Sequence, residues 1–146
     1  MRSFSILLTG IFLASLIGWE TDFENAKKKA VTEHKLILLN FSGSDWCGPC
    51  IKLHKEIFES NSFQYFADSN LVLINADFPR LKKNQLSKEQ QKKNDKLADK
   101  YNPQGSFPYT ILLNAEGKPI KAWDGYPNMT AEQFTGQLKG FVNARK

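Results

Sequence analysis

The feature that most constrains the fold is an apolar run, KLILLNF at residues 35–41, that lies just ahead of a cysteine pair. A continuous apolar run of this length is typical of a central strand buried on both faces of a sheet. Cys47 and Cys50 follow it, separated by a Gly-Pro dipeptide, and proline is favoured in the first turn of a helix. The sequence therefore predicts a buried strand, a short loop and a helix that begins at the two cysteines.

The rest of the chain alternates helical and strand patterns, and its 146 residues suit one domain with a sizeable core. Helix starts are marked by Ser or Thr three residues before Glu or Gln, and strands by short apolar runs. The first predicted elements are a helix from a Thr21–Glu24 capping box to about His34, with Ala26, Ala30 and Val31 on its apolar face, and a strand at 35–41. A helix from the cysteines through Ile51 and Phe58, which a short piece at 63–67 extends, and a strand at 70–78 follow. The last predicted elements are a helix from Ser87 to about Tyr101, a hairpin at 109–125 with its turn at Asn114 and Gly117, and a helix from Thr130 that buries Phe134, Leu138, Phe141 and Val142. This order indicates an α/β domain.

Residues 1–18 place Arg2 ahead of an apolar run, which is the pattern of a secretory signal. The run is shorter than the roughly 20 residues needed to span a bilayer. Leu16 is large for a position three residues from a cut after Gly18, so a retained membrane tether stays open. We expect a leader at residues 1–18, a domain at 19–146 and a periplasmic or otherwise extracytoplasmic location.

Several features spread over residues 19–144 resemble the thioredoxin superfamily. They are the strand ILLNF, the motif WCGPC, the second strand VLINAD, the Phe107-Pro108 pair ahead of the hairpin and the closing helix. The resemblance is strongest to secreted bacterial thioredoxin-like proteins. It implies a thioredoxin fold, a central mixed β-sheet flanked by helices, with a cis-proline before the hairpin. In this chain we expect an extended basic helical segment before that proline, longer than the corresponding connection in a minimal thioredoxin. It also implies thiol-disulfide exchange as the activity, without a cofactor.

The position of the cysteines at a predicted helix N-terminus suits disulfide chemistry. A thiolate, rather than a thiol, attacks a disulfide, and the unpaired N–H groups and dipole of a helix N-terminus favour the anion. We expect Cys47 to be the exposed nucleophile and Cys50, one turn further in, to be the shielded resolving thiol. The hypothesis is a protein-disulfide reductase, because Gly48-Pro49 resembles the reducing members of the family.

The resemblance also implies where a protein-disulfide substrate binds. In the family the matching proline is cis and faces the cysteine motif, so Pro108 is expected to present the backbone of Phe107 to an extended substrate segment. An ordinary trans proline at the start of a strand stays open on local sequence alone. The residues expected to border the same groove are Trp46, Gly48, Pro49 and Gly125.

A cysteine pair can also hold a metal or attach haem, and the fold can serve other functions than reduction. A zinc site needs about four ligands, and the histidines are His34 and His54, so no metal is expected. Ile51 after Cys50 excludes the haem attachment pattern of a cysteine pair followed by histidine. A disulfide oxidase or isomerase of the same fold stays open, as does a peptide-binding or chaperone module in which the thiols are dispensable.

A basic segment between Phe78 and Tyr101 carries the whole excess of positive charge, which is +5 for the chain. Its basic residues are Arg80, Lys82, Lys83, Lys88, Lys92, Lys93, Lys96 and Lys100, against the acidic Glu89, Asp95 and Asp99. We expect a solvated helix face, with docking to an acidic partner or an anionic membrane as the alternative. Nucleic acid is not expected as a partner of an exported protein, whereas a membrane-embedded thiol reductase is expected as electron donor.

Two residues depart from the pattern of the family. Asn40 falls where many thioredoxins place a buried carboxylate beneath the cysteines, and Leu73 falls where they place its lysine partner. The two charges are lost together, which avoids an unpaired buried ion. We therefore expect a dry site without a dedicated proton acceptor for Cys50.

Overall fold

The computed structural model describes residues 18–145 of the chain. Its helices are α1 (Phe23–Glu33), α2 (Gly48–Leu53), α3 (Asn61–Asn70), α4 (Lys88–Tyr101) and α5 (Ala131–Ala144). Its strands are β1 (Leu36–Ser42), β2 (Leu71–Asp77), β3 (Tyr109–Leu113) and β4 (Pro119–Asp124). A π-turn at His54–Phe58 continues α2, and a 3-10 turn at Lys82–Asn84 precedes α4. The elements follow one another in the predicted order, with α3 as a separate helix.

The strands form one mixed sheet with the order β2-β1-β3-β4 within the described part of the chain. β1 pairs in parallel with β2 and antiparallel with β3, and β3 pairs antiparallel with β4. In this register Asn40 of β1 lies opposite Asn75 of β2 on one side and Thr110 of β3 on the other. The centre of the sheet therefore carries a row of polar side chains near the end of β1.

Helices cover both faces of the sheet, because alternate residues of β1 point to opposite sides. Leu36 and Leu38 pack with a layer made by α2, the π-turn, α3 and α5. Ile37 and Leu39 pack with a second layer made by α1 and α4. Every residue of β1 is buried, and each fully buried Leu or Ile side chain contributes about 1.5–3 kcal/mol. The predicted central strand and the flanked mixed sheet of the thioredoxin fold are confirmed.

Side-chain caps mark the starts of α1, α4 and α5. Ser87 and Thr130 are the N-caps of α4 and α5, as predicted, and Thr130 forms a complete capping box. The prediction of a Thr21 cap for α1 is wrong, because the Asp22 carboxylate accepts the Asn25 N–H at 2.9 Å. A carboxylate caps a helix as well as a hydroxyl does, and its charge also favours the helix dipole.

The helix that begins at the cysteines is shorter than predicted. After Leu53 the backbone widens into the π-turn, and Ser60 then caps α3 by accepting the Phe63 N–H at 3.3 Å. Ser60 thus starts a separate helix, whereas the sequence predicted that residues 63–67 extend the helix that begins at the cysteines. Two residues assigned to apolar helix faces, Val31 and Ile51, are 57% and 47% exposed.

The hairpin between β3 and β4 turns where predicted. Asn114 Oδ1 accepts the Glu116 and Lys118 N–H groups, and Gly117 has a φ of 85°, which L side chains rarely adopt. The expected leader at residues 1–18 lies almost wholly outside the described residues. Among residues 18–145 there is no helix with the length and apolar character needed to cross a membrane.

The corrected cap of α1 can be tested by comparing two neighbouring substitutions. Asp22→Ala should lower the free energy of unfolding by about 1 kcal/mol, whereas Thr21→Ala should leave it nearly unchanged. The backbone hydrogen bond from Asn25 and the Lys93 ammonium hold the pKa of Asp22 below its ordinary value. The effect of Asp22→Ala should thus be full above about pH 4 and vanish as the pH falls through that lowered pKa. Urea unfolding of both variants between pH 2 and 7 measures these free energies and their pH dependence. A larger loss of unfolding free energy from Thr21→Ala than from Asp22→Ala would contradict the assignment of Asp22 as the cap.

Candidate active site

The two cysteines form a disulfide at the N-terminus of α2. Cys47 is the N-cap residue with an extended backbone, and its Sγ accepts the Cys50 N–H at 3.3 Å. Gly48 and Pro49 form the first turn between them and are exposed. A sulfur at the N-cap of a helix receives both an N–H donor and the positive end of the helix dipole.

The expected contrast between an exposed Cys47 and a shielded Cys50 is absent from the disulfide form. Cys47 is 5% exposed and Cys50 is 4% exposed. Cys47 Sγ faces inward because it is both bonded to Cys50 and held by the Cys50 N–H. The surface beside the disulfide is formed by Gly48 and Pro49.

The bond between Phe107 and Pro108 is cis, as the resemblance implied, and Pro108 is buried just before β3. The Pro108 carbonyl accepts the Gly125 N–H at 2.8 Å, and Gly125 has a φ of 77°. The Phe107 ring packs edge-on against the Trp46 ring with centroids 5.5 Å apart. Contacts thus join Trp46 to Phe107, and Gly125 to Pro108.

Trp46 is fixed on several sides by its neighbours. Its Nε1–H donates to the Phe78 carbonyl at 2.8 Å, and the Arg80 guanidinium lies over its ring at 3.6 Å from the centroid. The ring also covers Gly43 so closely that any Cβ at that position would overlap it. The sequence predicts a position at the groove for Trp46 but not the contact with Arg80, since nothing in a basic segment marks which cation contacts an aromatic ring.

Asp45 ties the cysteine loop to the start of the basic segment. Its carboxylate accepts the Arg80 and Leu81 N–H groups, both at 2.9 Å, and the Asn84 side-chain amide at 3.0 Å. The backbone hydrogen bond from Arg80, ahead of the other contacts, lowers the pKa of Asp45 below its ordinary value. Asp45, the residue before Trp46 in the sequence, thereby holds Arg80 against the Trp46 ring.

A cavity of about 320 Å³ adjoins Cys50. It is lined by Asn40, Ser42, Ser44, Cys50, Ile51, His54, Lys55, Glu59 and Asn75. Asn40 thus borders a cavity although the residue itself is only 5% exposed, and the dry site expected around it stays a prediction.

The partners of Asn40 differ from the expectation. Asn40 Nδ2–H donates to Asn75 Oδ1 at 3.1 Å, and Asn40 Oδ1 accepts the Thr110 hydroxyl at 3.0 Å. Leu73 lies opposite Leu38 in the sheet and packs in the apolar core. The lost charge pair is thus replaced by an amide pair, and the Asn75 side chain occupies the position beside Asn40.

The basic segment forms mainly a solvated face, as expected. Lys93 is an exception, because its ammonium contacts Asp22 at 3.0 Å and Glu89 at 3.2 Å. The hydrogen bond to Asp22, followed by that to Glu89, raises the pKa of Lys93. Over residues 18–145, no group of three or more His, Cys, Asp or Glu side chains is arranged to hold a metal ion.

The anchoring role of Asp45 leads to a prediction about local stability. Asp45→Ala removes the acceptor of two backbone N–H groups, so the amides of Arg80 and Leu81 should exchange with deuterium at least about fivefold faster. Asp95→Ala, at an exposed position of α4, is the matched control and should leave both amides unchanged. Equal protection of Arg80 and Leu81 in the Asp45 variant would show that other contacts hold the segment.

Comparisons with known proteins agree with this architecture. A family model described as "Thioredoxin-like domain" matches residues 23–141. The "Disulfide bond reductase DsbH" of Chlamydia pneumoniae is 38% identical over 132 residues, which cover 90% of this chain and 76% of that protein. The "Thioredoxin-related protein DsbJ" of the same organism is 30% identical over 88% of this chain, but only 36% of DsbJ is covered.

A solved structure described as "DsbH Oxidoreductase" superimposes with a TM-score of 0.79 at 30% identity, covering 97% of this chain and 95% of that chain. The family match, the curated relatives and the superposition lead to one conclusion: this chain belongs to the thioredoxin-like domain family and is homologous to thiol-disulfide oxidoreductases of the Dsb type.

Proposed function

We propose that this protein reduces protein disulfides outside the cytoplasm, through a cycle in which Cys47 and Cys50 alternate between dithiol and disulfide. The observation that carries the proposal is the placement of Cys47 as N-cap of α2, with its Sγ accepting the Cys50 N–H. In the reduced protein the same donor and the helix dipole favour a Cys47 thiolate, which is the attacking species.

The proposed reaction has two exchange steps. The Cys47 thiolate attacks one sulfur of a substrate disulfide, and the other substrate sulfur leaves as a thiolate. Cys50, after losing its proton, attacks Cys47 Sγ; the Cys47–Cys50 bond forms, the bond to the substrate breaks, and the second substrate thiolate leaves. Two electrons pass to the substrate. The Cα atoms of the two cysteines are 5.2 Å apart, within the usual range for a disulfide, so the backbone needs little movement.

The proposed substrate groove is bordered by Trp46, Gly48, Pro49, Phe107, Pro108 and Gly125. The Pro108 carbonyl is occupied by the Gly125 N–H, so the backbone left to pair with an extended substrate segment is that of Phe107. Gly48 and Pro49 are exposed beside the disulfide and leave room for a second chain. The contact between Trp46 and Phe107 holds the two sides of the groove together.

Two observations support reduction as the direction. The Gly-Pro dipeptide between the cysteines resembles the reducing members of the family, and the homologue DsbH is named a disulfide bond reductase. For the location we propose an apolar leader at residues 1–18 and a domain at 19–146 in an extracytoplasmic compartment. A reductase there must be supplied with electrons, so the proposed donor is a membrane-embedded thiol reductase.

The first test traps the substrates of the exchange. Cys50→Ser, expressed with its native leader, should accumulate disulfide-linked adducts on Cys47, because the resolving thiol is missing. Adducts are identified by mass spectrometry after non-reducing separation. The double variant Cys47→Ser/Cys50→Ser is the control and should carry none.

A folded, exported Cys50→Ser protein without adducts would contradict the proposal. If the double variant retains the same partners without a covalent bond, the protein is a peptide-binding module instead.

The second test separates reductase from oxidase. The Cys47–Cys50 couple should equilibrate with a glutathione buffer at a potential more negative than about −200 mV, in the range of reducing family members. Thiol alkylation followed by mass spectrometry measures the reduced fraction at each buffer ratio. A potential near −120 mV, typical of strong oxidants, would overturn the direction but not the exchange chemistry.

A further inference from the structure

The proposed reaction requires a base for Cys50, which must lose a proton before it attacks Cys47 Sγ. The sheet wall of the cavity offers only amide and hydroxyl groups, from Asn40, Asn75 and Ser42, and these have no useful basicity near neutral pH. The carboxylate beyond that wall, Asp77, already accepts hydrogen bonds from the Ser42 hydroxyl and the Ser44 N–H. The sheet therefore does not supply the base.

The opposite wall of the cavity contains an imidazole. Cys50 and His54, one turn apart on the same helical segment, both line the cavity of about 320 Å³. The cavity is polar on the sheet side and has room for several water molecules, which need polar partners and space. A chain of water molecules within it can connect Cys50 Sγ to the imidazole.

The π-turn orients the imidazole of His54. The Glu59 N–H donates to the His54 carbonyl at 2.9 Å, the i to i+5 pattern of a π-turn. Residues five apart in an α-helix do not share a face, but the wider turn brings Glu59 Oε1 to 3.5 Å from His54 Nε2. The rings of Trp19 and Phe58 pack beside the imidazole with centroids 6.0 and 6.2 Å away.

The charged groups around the imidazole do not compete with it as the base. Lys55 also lines the cavity, but an ammonium donates hydrogen bonds and has no lone pair to accept a proton. The Glu59 carboxylate is already in contact with the imidazole, with Oε1 at 3.5 Å from His54 Nε2. Trp19, from the N-terminal segment, and the amides of β1 and β2 carry no charge. Imidazole gains and loses a proton near neutral pH, which suits a general base.

We infer that His54, oriented by Glu59, receives the proton of Cys50 through water in the cavity, so that resolution does not use a carboxylate at position 40. Because Nε2 lies 3.5 Å from Glu59 Oε1, Nδ1 is taken as the accepting nitrogen. The Cys50 thiolate then attacks Cys47 Sγ, the substrate sulfur leaves, and His54 returns its proton to solvent. This inference rests on the proposed thiol-disulfide exchange.

A single-turnover experiment with an aromatic disulfide, dithiobis-nitrobenzoate, separates the two exchange steps. Attack by reduced Cys47 releases one coloured thiolate, and resolution by Cys50 releases the second. Stopped-flow absorbance at equimolar probe gives both rate constants between about pH 5 and 9.5. His54→Gln should leave the first step unchanged and slow the second about tenfold near pH 7.5, less than the roughly 10²–10⁴-fold typical of general base catalysis, because bulk water competes.

The pH profile distinguishes proton transfer from a structural role. General base catalysis requires the base unprotonated and the thiol still protonated, so variant and wild type should converge at the acid and alkaline ends of the range. His34→Asn is the control: His34 lies at the C-terminus of α1 with a φ of 53°, which Asn tolerates, and both steps should stay unchanged.

The outcomes separate the inference from the proposed function. A His54→Gln protein that resolves as fast as wild type, or is slowed by one factor at every pH, overturns the inference while the exchange itself stands. A wild-type protein that releases no coloured thiolate overturns both. Slowing confined to neutral pH supports the inference, and circular dichroism of the variant confirms that it is folded.

Discussion

The rest of the structure depends on the burial of β1 on both faces. One set of its alternating side chains packs with α2, α3 and α5, and the other packs with α1 and α4. The strand can therefore shift neither along its axis nor across the sheet without opening both cores. Since the cysteine loop begins where β1 ends, the position of the disulfide is set by a strand that is buried on both faces.

Two aspartates hold the loop that follows this strand. Asp77, at the end of β2, accepts hydrogen bonds from Ser42 and from the Ser44 N–H. Asp45, within the loop, accepts three more from residues 80–84. These charged acceptors add to the packing of Trp46 on Phe107 in fixing the loop, which suits the proposed presentation of sulfur to another protein.

The fold was largely predictable, because strongly apolar strands and side-chain caps leave signals in the sequence. KLILLNF indicated a strand buried on both faces, and Ser87 and Thr130 marked the starts of α4 and α5. The cap of α1 was misplaced by one residue, since Thr21 and Asp22 are both good caps and only tertiary contacts select between them.

The site was predictable where it rests on a motif. The sequence located the cysteine pair at a helix start and the cis bond at Phe107-Pro108. It did not predict the cavity, because strand register decides that Asn75, rather than Leu73, lies beside Asn40. Nor did it predict the π-turn, since no local pattern distinguishes HKEIF from an ordinary helical turn.

The stacking of Arg80 on Trp46 changes what an approaching protein meets first. One face of the indole is covered by the guanidinium, its N–H is used by the Phe78 carbonyl and its edge contacts Phe107. The tryptophan is therefore a support more than a stacking platform, and the outermost group beside it is a fixed positive charge. In the proposed reaction this charge would favour encounters with acidic segments of a substrate through long-range attraction, which salt weakens over a Debye length of about 8 Å at physiological ionic strength. Selection among the proposed substrates would then begin in solution, before any sulfur atoms come into contact.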